Sequence, residues 1–161
     1  LKYITLSNGK NAIVDDEDYE TLSKISWYEM QGYAKGKKYL GVINGKKRNK
    51  YFSMHRIIMK TPEGMHTDHI NANKLDNRKE NLRICTCSEN LRNAKPYAGG
   101  SSDYKGVYFN KECQKWRAYI TINKVRKHIG TFDREEDAAL AYNRKAQEFF
   151  GEFARLNEVA Q

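Results

Sequence analysis

The chain has 161 residues, with 29 Lys and Arg against 20 Asp and Glu, a net charge of +9 and a pI near 9.4. A chain of that size is one ordinary domain or two small ones, and that charge favours a polyanionic partner. No apolar run approaches the ~20 residues of a membrane span, nothing reads as a signal peptide, and three cysteines cannot all pair within one chain. Membrane and disulfide-rich secreted classes are therefore set aside, and a reducing compartment is expected, the cytoplasm of a bacterial or phage-infected cell. Metal-binding CxxC spacing is also absent, so structural zinc is not expected.

In chain order, Lys2 to Leu6 alternates with strand period, Ser7-Asn8-Gly9-Lys10 is a turn signal, and Asn11 to Val14 returns as a second strand. Asp15 to Ser23 begins with acids and predicts a short helix with those acids at its positive end. Ile25 to Met30 predicts a strand. Tyr39–Ile43 and Lys50–Met54 flank Asn44-Gly45, a dipeptide favoured in hairpin turns. Gln31 to Lys50 carries Lys35, Lys37, Lys38, Lys46, Lys47, Arg48 and Lys50 without an acid. The predicted hairpin, rimmed by Lys46, Lys47 and Arg48, fits a DNA groove or straddles phosphates. Residues 1–60 are thus expected to be a basic, β-rich DNA-binding region. His55 to Met59 reads as one or two helical turns, with His55 a packing or hydrogen-bonding residue.

Met65 to Ile70 has strand period, which sends Asp68 and His69 to opposite faces unless a bulge or the strand end brings them together. Asn71 to Glu80 is too polar to bury and predicts a loop held by its own side chains. Leu82 to Cys85 is a second strand. Thr86-x-x-Glu89 matches a capping box opening a helix over about Cys87 to Lys95.

That order of strand, polar loop, strand and helix, with DHIN followed by LDNRKENLR, resembles the HNH nuclease motif, the ββα-metal fold of many homing endonucleases. The resemblance covers Met65 to about Lys95 and implies a nuclease module over residues 61–95. Asp68-His69 opens the motif, Asn81 takes its middle position, and Asn90 its third, as in the branch that carries Asn there. The chemistry explains the residue types. A neutral histidine accepts a proton from water, the role of His69. The Asn81 amide oxygen is expected to orient it without adding charge. Asp68 and Asn90 offer oxygen ligands to one Mg²⁺ or Mn²⁺, with Asn93 a competing helix ligand. Arg78 and Arg83 are expected to grip neighbouring phosphates.

Residues 96–102, Pro-Tyr-Ala-Gly-Gly-Ser-Ser, read as a linker. Beyond it, Gly106 to Phe109, Lys115 to Ile122 and Val125 to Ile129 predict three strands. Trp116, Ala118, Ile120 and Ile122 share one face of the second. A helix follows Gly130-Thr131-Phe132-Asp133, with Thr131 or Asp133 as cap. Ala138, Tyr142, Ala146, Phe149 and Phe153 form its apolar stripe. Residues 103–161, with YKGV, GTFD, EEDAALAYN and the closing LN, resemble the plant ethylene-response-factor (APETALA-type) DNA-binding domain. The resemblance implies that the sheet enters the major groove of double-stranded DNA. By position it brings Lys105, Tyr108, Asn110, Lys115, Tyr119, Thr121, Arg126 and His128 to the DNA. Arg117 joins Tyr119 as an expected base reader. Family arginines are replaced at Tyr108, Asn110 and Thr121, so the plant target sequence does not transfer.

The sequence therefore predicts an α+β chain: a β-rich start, a ββα-metal module, and a three-stranded antiparallel sheet on one helix. The expected activity is site-specific, metal-dependent hydrolysis of double-stranded DNA to 5′-phosphate and 3′-hydroxyl ends, by nicking. The alternative is a DNA-binding regulatory or accessory protein with an inactive nuclease fold.

Overall fold

The computed structural model describes residues 1–43, 45–94, 96 and 99–159, and it is α+β: small antiparallel sheets with short helices between them. Strands β1 (Lys2–Thr5) and β2 (Asn11–Val14) pair antiparallel. Gly9, at φ +83°, makes the turn between them. Helix α1 (Asp16–Leu22) follows, with Asp16, Glu17 and Asp18 in its first turn, where the helix dipole favours acids.

Strands β3 (Trp27–Met30), β4 (Tyr33–Ile43) and β5 (Lys46–Ser53) form a meander in that order. Gln31 and Gly32, both at positive φ, turn β3 into β4. Strand β4 is longer than its apolar pattern predicts: Lys35 already faces Ser53, and Gly36 faces Phe52. The ladder satisfies the backbone of a lysine-rich stretch that reads as loop when only side-chain polarity is considered. The register shifts between Tyr39 and Gly41, leaving Leu40 as an extra residue, a β-bulge. The expected turn residue Asn44 lies outside the described residues.

Helix α2 (Met54–Ile58), β6 (His66–His69), β7 (Leu82–Cys85) and α3 (Cys87–Asn93) complete the ββα arrangement. Strands β6 and β7 pair antiparallel, from His66 opposite Cys85 to His69 opposite Leu82. The loop between them is tied to β2: Ile13 N–H donates to the Leu75 carbonyl at 2.8 Å, and Asn77 N–H to the Ile13 carbonyl at 2.8 Å. Ile4, Leu6, Val14, Leu22, Trp27, Met54, Ile58 and Leu82 form one core. The N-terminal strands and the ββα segment thus share a hydrophobic interior, within a first compact unit of Leu1–Asn90.

The second unit is Leu91–Gln161. In it, β8 (Val107–Asn110), β9 (Lys115–Ile122) and β10 (Val125–Phe132) form an antiparallel sheet with β9 central, and α4 (Glu135–Phe150) covers one face. Ala118 and Ile120 of β9 are buried against Ala138, Ala139, Tyr142 and Ala146 of α4. Gly106 is required beneath Tyr142, since a Cβ there would lie 2.2 Å from its ring. Two helix expectations are corrected. Phe150, not Phe149, is the buried phenylalanine, and Phe153 lies past the helix in a short 3-10 turn. The residue preceding α4 is Arg134, which makes no side-chain cap hydrogen bond; Thr131 is still paired with Arg117 in the sheet, and Asp133 pairs with Lys115.

Candidate active site

Strand β6 ends at His69, with Asp68 opposite Arg83 and His69 opposite Leu82 of β7 and no bulge between them. Asp68 and His69 are both buried, Asp68 against Arg83 of β7 and His69 beside Asn77 of the loop. His69 Nε2 lies 3.4 Å from Asn77 Oδ1. The amide oxygen accepts only, so Nε2 carries the hydrogen and Nδ1 keeps its lone pair. Asn77 is itself fully buried, and its Nδ2 donates to the Leu75 carbonyl at 3.1 Å.

The amide in contact with the His69 ring is that of Asn77, where the sequence pointed to Asn81. The Asn81 side chain is used within the loop: Oδ1 accepts from Asn71 N–H at 2.9 Å, and Nδ2 donates to the Asp76 carbonyl at 2.8 Å. Both residues lie in the same polar stretch, which has no period to say which amide crosses to the histidine. Asp76 is buried and takes hydrogen bonds from Arg78 and Asn71. The Arg78 bonds, with help from Asn71, hold its carboxyl below the usual range.

Aromatic rings enclose His69 on its other side. His55 from α2 packs edge-on at 5.1 Å between ring centroids, and Tyr33 from β4 lies 5.9 Å away. Burial lowers the His69 pKa, and Lys74 adds to this, while Asn77, Asp68 and Asp76 oppose it. The imidazole is thus biased to its neutral form. Burial, His69, Lys35 and Arg56 together push His55 down to about 3. Sequence reasoning missed Tyr33 and Asn77 as site residues. Only the loop's exceptional amide content hinted at the second.

Asp68 Oδ2 accepts from Arg83 Nε at 3.0 Å and from Arg83 Nη2 at 2.8 Å. Arg83 therefore braces the carboxylate, a departure from the phosphate contact expected of it. Arg78 likewise pairs with Asp76 and Glu80. Asn90 sits on the first turns of α3, behind the capping box: Glu89 Oε2 accepts from Thr86 N–H at 2.7 Å, and Thr86 Oγ1 from Glu89 N–H at 3.3 Å. The Asn90 side chain is half-buried and makes no hydrogen bond among the described residues. Its amide oxygen is thus available to a ligand. Asn93 is buried on the same helix. Asp68 and Asn90 would offer a cation one carboxylate and one amide oxygen, hard donors of the kind that suit an ion which keeps most of its water.

The expected DNA contacts of the second unit share the sheet face opposite α4. Tyr108 is paired with Arg117, Tyr119 with His128, and Thr121 with Arg126. The Arg126 guanidinium lies 4.6 Å from the Tyr108 ring and 4.1 Å from the Tyr119 ring. Lys115 pairs with Asp133 at 3.0 Å. Lys105 departs from the expected role. Its ammonium donates to the carbonyls of Leu91, Arg92 and Ala94, and burial with Arg155 nearby lowers its pKa to about 8. In the first unit, Lys46, Lys47 and Arg48 are exposed on β5.

The family model described as HNH endonuclease matches residues 54–92. An HNH endonuclease of Acanthamoeba polyphaga mimivirus is 34% identical over 162 residues, covering 98% of this chain and 81% of its own length. The chain belongs to the HNH endonuclease family. Protein 3.8 of Escherichia phage T7 is 34% identical over 95 residues, 59% of this chain and 78% of that protein. A rice protein, APETALA2-like protein 2 of Oryza sativa subsp. indica, is 38% identical over 68 residues, 41% of this chain but 15% of the rice protein. The HNH match begins at Met54 and so spans α2 as well as Asp68, His69, Asn77, Asn81 and Asn90.

Proposed function

We propose that this HNH endonuclease is a site-specific DNA nuclease of homing type. In this reading it hydrolyses one phosphodiester of double-stranded DNA at a time, leaving 5′-phosphate and 3′-hydroxyl ends. The observation that carries the reading is the His69–Asn77 contact at 3.4 Å, with the histidine buried beside Asp68. It gives a neutral base with a defined tautomer next to an anionic oxygen ligand.

His69 Nδ1 takes the proton of the attacking water, while Asn77 holds Nε2–H and prevents the ring from turning. Arg83 keeps the Asp68 carboxylate fixed. Asp68 and Asn90 would hold one Mg²⁺ or Mn²⁺, which when bound supplies charge neutralisation at the leaving oxygen. The exposed face carrying Tyr108, Arg117, Tyr119, Thr121, Arg126 and His128 serves as an ethylene-response-factor-type reader of the major groove. The basic edge at Lys46, Lys47 and Arg48 grips phosphates. Both keep the small catalytic module on its target, and phosphate contacts alone carry no sequence information.

Supercoiled plasmid carrying a library of sites, incubated with Mg²⁺ or Mn²⁺, tests the proposal. The wild type is expected to convert it to the nicked circle. His69→Ala is expected to lose 10²-fold or more in rate, in line with the ~10²–10⁴-fold contribution of a general base, and to keep its DNA affinity. A wild type that binds DNA but nicks nothing in either metal sinks the proposal and favours a regulatory binding protein.

A further inference from the structure

We propose that Lys35 and Lys74 form a phosphate-binding subsite beside His69, which holds the DNA strand at a phosphodiester adjacent to the one that is cut. This rests on the nuclease reading and assigns a new role to residues outside the motif's base, ligands and orienting amides.

The two ammonium groups reach one tyrosine ring from distant parts of the first unit. Lys74 Nζ, from the loop after β6, lies 4.3 Å from the Tyr33 centroid, and Lys35 Nζ, from β4, lies 5.6 Å from it. Tyr33 in turn packs on His69 and His55. Two cations therefore stand over the tyrosine ring that packs on the catalytic imidazole.

Neither lysine is neutralised. Asp68 is taken by Arg83 and Asp76 by Arg78. Among the described residues, no carboxylate pairs with Lys35 or Lys74. Each holds one neutral acceptor instead: Lys74 donates to the Gln31 carbonyl at 3.0 Å, and Lys35 to Ser53 Oγ at 2.6 Å. An ammonium has three donors, so each retains N–H groups for an anion.

These side chains are held, not dangling. The Lys74 stem passes over Gly32, where a Cβ would lie 3.1 Å from its Cδ, and Gly32 at φ +85° also makes the β3–β4 turn. One glycine thus sets the hairpin and clears the lysine's path. Two fixed, uncompensated cations beside a neutral base match an acceptor-only monoanion, and a phosphodiester is one. Lys37 follows Lys35 on the same side of β4, about 6.7 Å further along the strand, so the positive row continues away from the site.

The test uses the full chain and a duplex of mixed sequence, without divalent metal, with binding measured over a range of salt. Removing one phosphate contact lowers the slope of log affinity against log salt by about 1. Lys35→Gln and Lys74→Gln are each expected to do so, and the double variant to lose about 2. Lys74→Arg should keep the slope, and so should Lys24→Gln, whose lysine pairs with Glu20 elsewhere. Slopes equal to the wild type in both glutamine variants overturn the subsite. Once a nick is mapped, a neutral methylphosphonate next to the scissile bond should weaken wild-type binding and leave the double variant unaffected; equal losses in both also overturn it. If the wild type nicks nothing, the nuclease reading fails, while the slopes still decide whether the two lysines hold phosphate. Melting curves matching the wild type show that the variants fold.

Discussion

At the scale of single residues, His69 and its neighbours divide labour that the sequence could name but not distribute. The elements that carry Asp68, His69 and Asn90, a strand and a capped helix on either side of a polar loop, were legible in the sequence. The partner of His69 was not, because several amides in one irregular loop are equivalent until the chain folds. Two substitutions separate them. Asn77→Ala should lower kcat by roughly 10–100-fold, the usual cost of losing an orienting partner, with DNA affinity unchanged. Asn81→Ala removes two bonds that close the loop and should lower the melting temperature. Steady-state kinetics and calorimetry of the pair would contradict this if the losses were exchanged. His55 offers a pH test. Its folded pKa, about 3, lies below its ordinary 6.5, so the unfolded chain binds the proton more readily between those values. Stability contributed by the neutral ring is full above pH 6.5 and lost as pH falls towards 3. Among the described residues the buried His55 Nδ1 has no hydrogen-bond partner, so His55→Phe should flatten the acid limb of melting temperature against pH. A limb of unchanged steepness in the variant would assign the pH dependence to other groups.

At the scale of elements, local signals were read well where they were chemical. The capping box at Thr86 and Glu89 forms as its spacing predicts, and it starts the helix that carries Asn90. Glu89→Ala should cost about 1 kcal/mol, the typical value of a lost cap, read as a lower denaturant midpoint. Signals that depend on tertiary partners were read less well. Strand β4 runs across a lysine-rich segment because β3 and β5 pair with both its edges. The stripe of α4 runs to Phe150 because the helix ends there, before a Gly151 at φ +53°. Gly36 shows the same dependence. It looks like a loop glycine in the sequence, yet a Cβ there would lie 2.3 Å from the Phe52 ring that packs on Trp27. Gly36→Ala should therefore destabilise the first unit by about 1–3 kcal/mol, the usual cost of overpacking. A melting temperature equal to the wild type would mean that the Phe52 ring moves aside freely.

For the whole molecule, basic surfaces lie in both compact units, among them the β5 edge with Lys46, Lys47 and Arg48, and the sheet face with Arg117 and Arg126. A single basic patch would give an affinity that varies smoothly with duplex length. Two grips on one chain behave differently. Once the first has bound, the second binds at an effective concentration set by the chain between them, and affinity rises without any new contact. That gain exists only on a duplex long enough to meet both. Shortening a duplex from about 40 to about 10 base pairs, a span of ~34 Å, should thus weaken wild-type binding by tenfold or more, in line with the ~10²–10⁴-fold range of such linkage. Arg126 is stacked on Tyr108 and Tyr119, so Arg126→Ala with Tyr119→Ala removes the centre of the second grip. That variant should bind the long duplex more weakly than the wild type does and lose the step with length. Its residual affinity, carried by the first unit, should still fall with salt, since that unit's contacts are with phosphates. If the variant keeps the same step, the sheet face is not the second grip, and the length dependence arises within the first unit.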